Sequence, residues 1–124
     1  MAHTQNYEDI VIPQGTDTAI ELHLVKESDG TAFDLTNYSA EAKMKRRHGD
    51  SANDPNTVTF NAIIPTPASS GIVTLSLSSD SSQGLNTRGR YVWDCEVSFV
   101  DSASKTIVQR VAEGQAEVSP SVTY

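Results

Sequence analysis

Apolar and polar residues alternate along most of this chain. The segment 90–100 shows this most clearly, with apolar side chains at every second position: Tyr91, Trp93, Cys95, Val97 and Phe99. Four further segments alternate in the same way: 18–25, 38–45, 57–63 and 72–78. Because successive side chains of a β-strand point to opposite faces, a period of two predicts strands with one buried face.

Two weaker strands complete the pattern. The first covers 7–12 and stops at Pro13, and the last covers 105–118, with Gly114 as a predicted bulge or bend. One short segment departs from alternation, because Ser78 suits a helix N-cap and is followed by Asp80 and Gln83. It predicts a single helical turn before the chain enters the strand at 90–100.

Seven predicted strands and the absence of any long helical period indicate an all-β chain. We expect an immunoglobulin-like sandwich of about seven antiparallel strands with one short helical turn. An open barrel of the same strands is the alternative. The length of 124 residues fits a single β-sandwich domain spanning 1–124, in which 1–6 and 119–124 are extended tails.

Composition and charge exclude several classes of protein. No apolar run has the roughly 18–20 residues of a membrane span, and the first 25 residues lack the pattern of a secretory signal. A net charge of −7 argues against a general nucleic-acid binder, which needs a dominant basic face. We therefore expect a soluble intracellular product that binds neither nucleic acid nor membrane.

The residues that could carry chemistry do not converge. The chain has no Gly-x-Ser-x-Gly motif and no phosphate-binding glycine loop, and its three histidines do not share metal-ligand spacing. Cys95 stands among apolar strand residues, which predicts packing in the core. The oxygen-rich segment 50–54 lacks the ligand order of a calcium loop and is predicted to be solvated. We expect no catalytic residue, no metal site, no cofactor and no small-molecule substrate.

A basic segment is the most unusual feature of the sequence. Lys43, Lys45, Arg46 and Arg47 are four of the nine cationic residues, against sixteen acidic residues in the whole chain. One interpretation is a charged edge strand that discourages edge-to-edge aggregation. The other is a docking patch for an acidic surface, such as that of another copy of the chain.

The C-terminal segment is a second candidate for partner contact. Pro120 favours an extended path, so that exposed apolar side chains could anchor on a neighbouring subunit, although a frayed terminus is the alternative. The candidate partner interface therefore comprises six residues: Lys43, Lys45, Arg46, Arg47, Val122 and Tyr124.

Five stretches, taken in order, carry a resemblance to a known family: 12–18 (IPQGTDT), 29–38 (DGTAFDLTNY), 71–77 (GIVTLSL), 89–96 (GRYVWDCE) and 110–120 (RVAEGQAEVSP). The set resembles short virion structural proteins of tailed bacteriophages. It is similar to the N-terminal domain of phage baseplate upper proteins from about residue 10 to about residue 120. The resemblance implies an immunoglobulin-like sandwich and a non-enzymatic role in the virus particle, and it transfers no catalytic residue.

The resemblance also implies a setting. We expect a subunit of the tail, neck or baseplate, made in the host cytoplasm and assembled with other virion proteins and copies of itself. The long C-terminal extension of baseplate upper proteins has no counterpart here, which favours a small decorating or joining subunit. A capsid decoration or cement protein is one alternative. A module that binds carbohydrate or a host surface is another, which would need exposed aromatic residues such as Tyr7, Tyr38 or Tyr124.

Overall fold

The alternating segments form strands in two stacked β-sheets. A computed structural model of the chain describes residues 6–122 except 27 and 52. Within those residues it contains a five-residue helix, α1 (Ser79–Gln83), and a short 3-10 helix at Ala68–Ser70. The same residues form nine strands: β1 (Asn6–Tyr7), β2 (Ile10–Pro13), β3 (Thr18–His23), β4 (Ser39–Lys45), β5 (Val58–Thr59), β6 (Asn61–Ile63), β7 (Ile72–Leu77), β8 (Arg90–Val100) and β9 (Thr106–Ser119).

The larger sheet has the strand order β1-β9-β8-β4-β5, with β2 also paired to β9, and the smaller sheet has the order β3-β7-β6. The inward side chains of both sheets, including Leu75, Trp93 and Cys95, form one buried core. This is the face that the alternation selects, because one side of each strand is apolar. The predicted all-β, immunoglobulin-like sandwich is confirmed.

The first strand differs from the prediction of an antiparallel sandwich. β1 and β2 both run parallel to β9, with Asn6 opposite Ala112 and Ile10 opposite Ala116. The chain does not return in a hairpin after β2. It crosses to the smaller sheet and begins β3 there. Asn6 and Ser119, which the prediction placed in the tails, are strand residues at this edge.

The predicted strand 57–63 is divided between the two sheets. Val58 and Thr59 pair with β4, whereas the residues from Asn61 onward pair with β7. Phe60 lies at the crossing, where its amide still donates to the Ala42 carbonyl at 2.9 Å while its side chain is buried in the core. The sandwich is therefore closed on this side by a strand that changes sheets.

The bulge in the last strand is not at the predicted position. The β8–β9 register shifts between Cys95 and Glu96, so Val111 is the extra residue of β9. Gly114 stays in register, opposite Trp93. A Cβ at Gly114 would collide with the Glu8 carbonyl oxygen and approach the Trp93 indole nitrogen to 2.9 Å. Gly114 is needed for this close approach of β1, not for a bend.

The helical turn is confirmed where it was predicted. The Ser78 side chain accepts a hydrogen bond from the Ser81 amide at 3.2 Å, as an N-cap does. Ser82 is fully buried, and its hydroxyl donates to the Thr16 carbonyl at 2.7 Å. Leu85 follows the helix and enters the core. This turn therefore covers one end of the sandwich and leads the chain back to β8.

Candidate functional site

The basic segment does not lie on an edge strand. β4 is paired to β8 along its length and to β5 at Lys43 and Met44, so the edge-protection interpretation is wrong for this strand. Lys43 and Lys45 point outward from the larger sheet, as the alternation predicted. Lys43 is neutralised locally, because its Nζ lies 3.2 Å from the Glu41 carboxylate. The strand ends at Lys45, so the alternation does not extend to the two arginines that follow.

Arg46 turns toward the body of the protein. Its guanidinium carbon lies 5.0 Å from the centre of the Tyr91 ring, which is a cation–π distance. Its Nη2 donates to the Arg88 carbonyl at 2.6 Å, and its Nη1 is buried without a hydrogen-bond partner. Gly89 admits this contact, because a Cβ there would lie 2.9 Å from Nη2. Arg46 therefore fixes the main chain just before β8.

Two further arginines join this cluster, and the sequence analysis missed both. Arg88 precedes β8 and Arg90 begins it, and the antiparallel register that places Lys45 opposite Val92 brings them beside the end of β4. The sequence feature that could have identified them is the pair of arginines on either side of Gly89, at the start of β8. We call the five residues Lys45, Arg46, Arg47, Arg88 and Arg90 the basic corner.

The basic corner keeps most of its positive charge. Arg90 is partly compensated, since it donates to the Gln115 side chain at 2.8 Å and lies 3.8 Å from the Glu117 carboxylate. The side-chain nitrogens of Lys45, Arg47 and Arg88 form no ion pair within 4.0 Å among the described residues, although the Asp50 carboxylate accepts a hydrogen bond from the Arg47 amide at 3.2 Å. The other four cationic residues of the chain face sixteen acidic ones. Five of the nine cationic residues therefore lie at one place on an acidic molecule, where Asp50 and Asp54 of the loop after Arg47 lie near them.

The outward face of the larger sheet carries charged side chains of both signs. It holds an open depression of about 270 Å³, lined by acids and bases that include Lys43, Asp94, Arg110 and Glu113. The Arg110 guanidinium lies 3.5 Å from the Asp94 carboxylate and 3.8 Å from that of Glu113. Lys45 of the basic corner also lines this depression, so the corner adjoins a surface at which four carboxylates lie among three cationic side chains.

The predicted C-terminal anchor is described only in part. Val122 is fully exposed, and Tyr124 lies outside the described residues. The Ser121 amide donates to the Gln14 side chain at 3.2 Å, so the segment after β9 leaves the sandwich beside the end of β2. Glu117 of β9 lies opposite Arg90. Val122 and the basic corner are thus at the same end of the molecule, on neighbouring strands.

Among the residues that the structure describes, the remaining candidates lie apart from one another. Among the described residues, no three histidine, cysteine or acidic side chains lie together as a metal ion would require. His23 is exposed on the smaller sheet, where it lies 3.1 Å from Glu21. Within the part of the chain that the structure describes, no helix is long and apolar enough to cross a membrane.

Cys95 is a core residue with an unreactive thiol. It is fully buried, and burial raises the pKa of its thiol to about 12, with smaller contributions from the neighbouring Asp94 and Glu96. At pH 8 roughly one thiol in ten thousand is ionised. We expect no reaction with a chromogenic disulfide reagent in the native state and complete reaction in denaturant. A Ser102→Cys variant, exposed in the β8–β9 turn, should react at once. Rapid native labelling of wild type would contradict the buried assignment.

Comparison with known proteins supports the fold. No family model matches the chain, and no curated protein matches it. Among solved structures, the chain is similar to murine CRIg at 16% sequence identity and a TM-score of 0.50, covering 90% of this chain and 92% of that one. It is also similar to AggA, the major subunit of aggregative adherence fimbriae type I from Escherichia coli. That match has 10% identity and a TM-score of 0.40, covering 95% of this chain and 93% of AggA. The likeness to CRIg agrees with an immunoglobulin-like sandwich.

Proposed function

We propose that this protein is a non-enzymatic structural subunit that works by protein–protein assembly, with the basic corner as its principal docking site. The observation that carries the proposal is the set of three cationic side chains, Lys45, Arg47 and Arg88, that form no ion pair within 4.0 Å among the described residues, on a chain of net charge −7. The family resemblance supplies the setting, which is the virion of a tailed phage, in its tail, neck or baseplate.

The chemistry of the corner fits an acidic protein surface. Arginine presents a planar fork of donors that matches a carboxylate, and Arg47 and Arg88 are both exposed. Arg46 holds the Arg88 main chain through its 2.6 Å hydrogen bond, which limits the freedom lost on docking. A long anionic polymer such as nucleic acid would also meet the acidic remainder of the surface, which repels it. A local acidic patch on a protein avoids that repulsion.

Incorporation into particles tests the proposal. The double variant Arg47→Glu/Arg88→Glu and wild type are each expressed during infection, and particles are sedimented and quantified by mass spectrometry. Reversal places like charges across the contact, so we expect the particle-bound fraction to fall at least tenfold. The matched control is Lys26→Glu/Lys105→Glu, which changes net charge equally at exposed positions away from the corner.

Each outcome bears on a different part of the proposal. Normal incorporation of the folded corner variant would refute the docking role. Wild type that stays at the top of the gradient would refute the virion setting. A copy number near that of the major capsid protein would favour capsid decoration over tail, neck or baseplate, for which a small ring-sized number is expected.

A further inference from the structure

The outward face of the larger sheet presents an aromatic ring beside the charged depression. The strand register places Tyr7 of β1 opposite Glu113 of β9. Glu113 lies opposite Asp94 of β8, which in turn lies opposite Lys43 of β4. Because residues opposite each other share a face of the sheet and the last three line the depression, Tyr7 stands at its rim. We call Tyr7, Lys43, Asp94, Arg110 and Glu113 the outer-sheet site.

The Tyr7 ring is accessible to a ligand. Tyr7 is 66% exposed, whereas Tyr91 is buried and Tyr38 packs against Phe33 and Phe99. An aromatic ring offers a broad apolar face, on which the C–H face of a sugar ring can stack while the sugar hydroxyls point to polar neighbours. A carbohydrate-binding module needs such an exposed ring, and Tyr7 supplies one beside a set of polar side chains.

The depression offers hydrogen-bond donors and acceptors side by side. The carboxylates of Asp94 and Glu113 only accept hydrogen bonds, and the side chains of Lys43 and Arg110 only donate them. The Arg110 Nε lies 3.5 Å from the Asp94 carboxylate, which is longer than a good hydrogen bond, so a hydroxyl can bridge the two. Lys43 has three N–H donors, and its 3.2 Å contact with Glu41 uses one of them. The site therefore suits groups that donate and accept at once, as sugar hydroxyls do.

The charges of the depression favour a neutral ligand. Four carboxylates lie among three cationic side chains there, so an ion of either sign would meet groups of its own sign. Lys43 is paired with Glu41, and Arg110 is paired with Asp94 and Glu113. A ligand without charge leaves these ion pairs in place.

We infer that the outer-sheet site binds a neutral oligosaccharide, with one sugar ring stacked on Tyr7 and hydroxyls of the next held by Asp94 and Arg110. Tyr7 and Asp94 are two strands apart, about 10 Å at ~4.8 Å per strand, which is longer than one sugar ring. This binding activity goes beyond the proposed assembly function and does not depend on it, since Arg47 and Arg88 do not line the depression. An open depression encloses little of its ligand, so we expect a single copy to bind weakly.

Nuclear magnetic resonance titration of ¹⁵N-labelled wild type tests the inference. The ligands are linear trisaccharides of glucose, galactose, mannose and N-acetylglucosamine, each added alone, together with the four monosaccharides. We expect saturable shifts of the Tyr7, Asp94 and Glu113 amides with at least one trisaccharide. The corresponding monosaccharide should bind at least fivefold more weakly, because it cannot reach both ends of the site. The amides of Ala19 and Ser76, on the smaller sheet, should not shift.

Substitutions in the site separate stacking from hydrogen bonding. Tyr7→Ala should weaken binding roughly threefold to tenfold, whereas Tyr7→Phe keeps the ring and should stay within about twofold of wild type. Asp94→Ala removes an acceptor and should weaken binding about tenfold or more, while Arg110 keeps its ion pair with Glu113. Val11→Ala is the matched control, because Val11 is 63% exposed in β2 at the same edge of the sheet and does not line the depression. Circular dichroism verifies that every variant folds.

Each outcome supports or overturns the inference. The absence of a saturable shift with all four trisaccharides, or shifts confined to the smaller sheet, would overturn it. Wild-type affinity in both Tyr7→Ala and Asp94→Ala would show that the ligand binds elsewhere. Tighter binding of trisaccharides of galacturonic acid or glucosamine than of any neutral sugar would overturn the choice of a neutral ligand. Arg47→Glu/Arg88→Glu should bind the saccharide as wild type does, so failure of the docking role and failure of saccharide binding are distinguishable.

Discussion

Replacing Trp93 with alanine should lower the free energy of unfolding by about 3–5 kcal/mol, the range measured for truncation of large aromatic residues in protein cores. Trp93 is only 3% exposed and lies in β8, the strand paired to both β4 and β9. Its indole N–H donates to the Glu8 carbonyl at 2.9 Å and so links the core to the chain between β1 and β2. Domains of this size are stable by about 5–15 kcal/mol, so much of the margin would be lost.

Urea unfolding monitored by circular dichroism measures this loss. Trp93→Phe keeps an aromatic ring and removes the N–H donor, so it should cost less, about 1–2 kcal/mol. Val100→Ala is the exposed control, because Val100 is 65% exposed in the same strand, and it should stay within about 0.5 kcal/mol of wild type. An unfolding midpoint of the alanine variant equal to that of wild type would show that Trp93 does not face the core.

Replacing Gly114 with alanine should separate β1 from the larger sheet. The added Cβ would collide with the Glu8 carbonyl oxygen and would lie 2.9 Å from the Trp93 indole nitrogen. Overpacking costs roughly 1–3 kcal/mol, and each hydrogen bond lost adds about 0.5–1.5 kcal/mol. We expect a total loss of about 2–4 kcal/mol in the free energy of unfolding.

Hydrogen exchange locates the damage. The Glu8 amide, which donates to the Glu113 carbonyl at 2.9 Å, should lose protection before the amides of β8 do. Gly49→Ala is the matched control, since a Cβ there meets nothing within 4 Å. Wild-type protection and stability in the Gly114 variant would mean that β1 does not approach β9 as closely as the structure places it.

The strands were predictable because their signal is local. In β8 the alternation of Tyr91, Trp93 and Cys95 with polar neighbours identifies both the strand and its buried face, and it needs no knowledge of the partner strands. The helical turn at Ser79–Gln83 was predictable for the same reason, since an N-cap serine acts within its own turn.

The features that the sequence did not reveal depend on which strands become neighbours. Two such features are the parallel pairing of β1 and β2 with β9 and the change of sheet at Phe60. Neither changes the alternation of apolar and polar residues, so the alternation does not reveal them. Gly114 was identified as special, but a bulge and a close backbone approach both call for glycine. Only the position of Glu8 distinguishes the two.

Only the part of the candidate site that lies in one continuous stretch of sequence was predictable. The basic run after Met44 is visible in the sequence, but the Glu41 carboxylate that neutralises Lys43 belongs to the same strand two residues earlier, and its rotamer decides the pairing. The inward turn of Arg46 depends on the Tyr91 ring, and Arg88 joins the cluster through strand register. Charge clusters assembled from distant segments require the fold before they can be recognised.

The parallel edge of the larger sheet has a mechanical consequence. β2 enters beside β9, the last strand, and both run in the same direction, with four residue pairs from Ile10 opposite Ala116 to Pro13 opposite Ser119. A stretching force that pulls residue 6 away from residue 122 slides these strands past each other. Their hydrogen bonds then bear the load together rather than opening one after another, as they would in a hairpin pulled from its open end. The sandwich therefore resists tension applied along its strands.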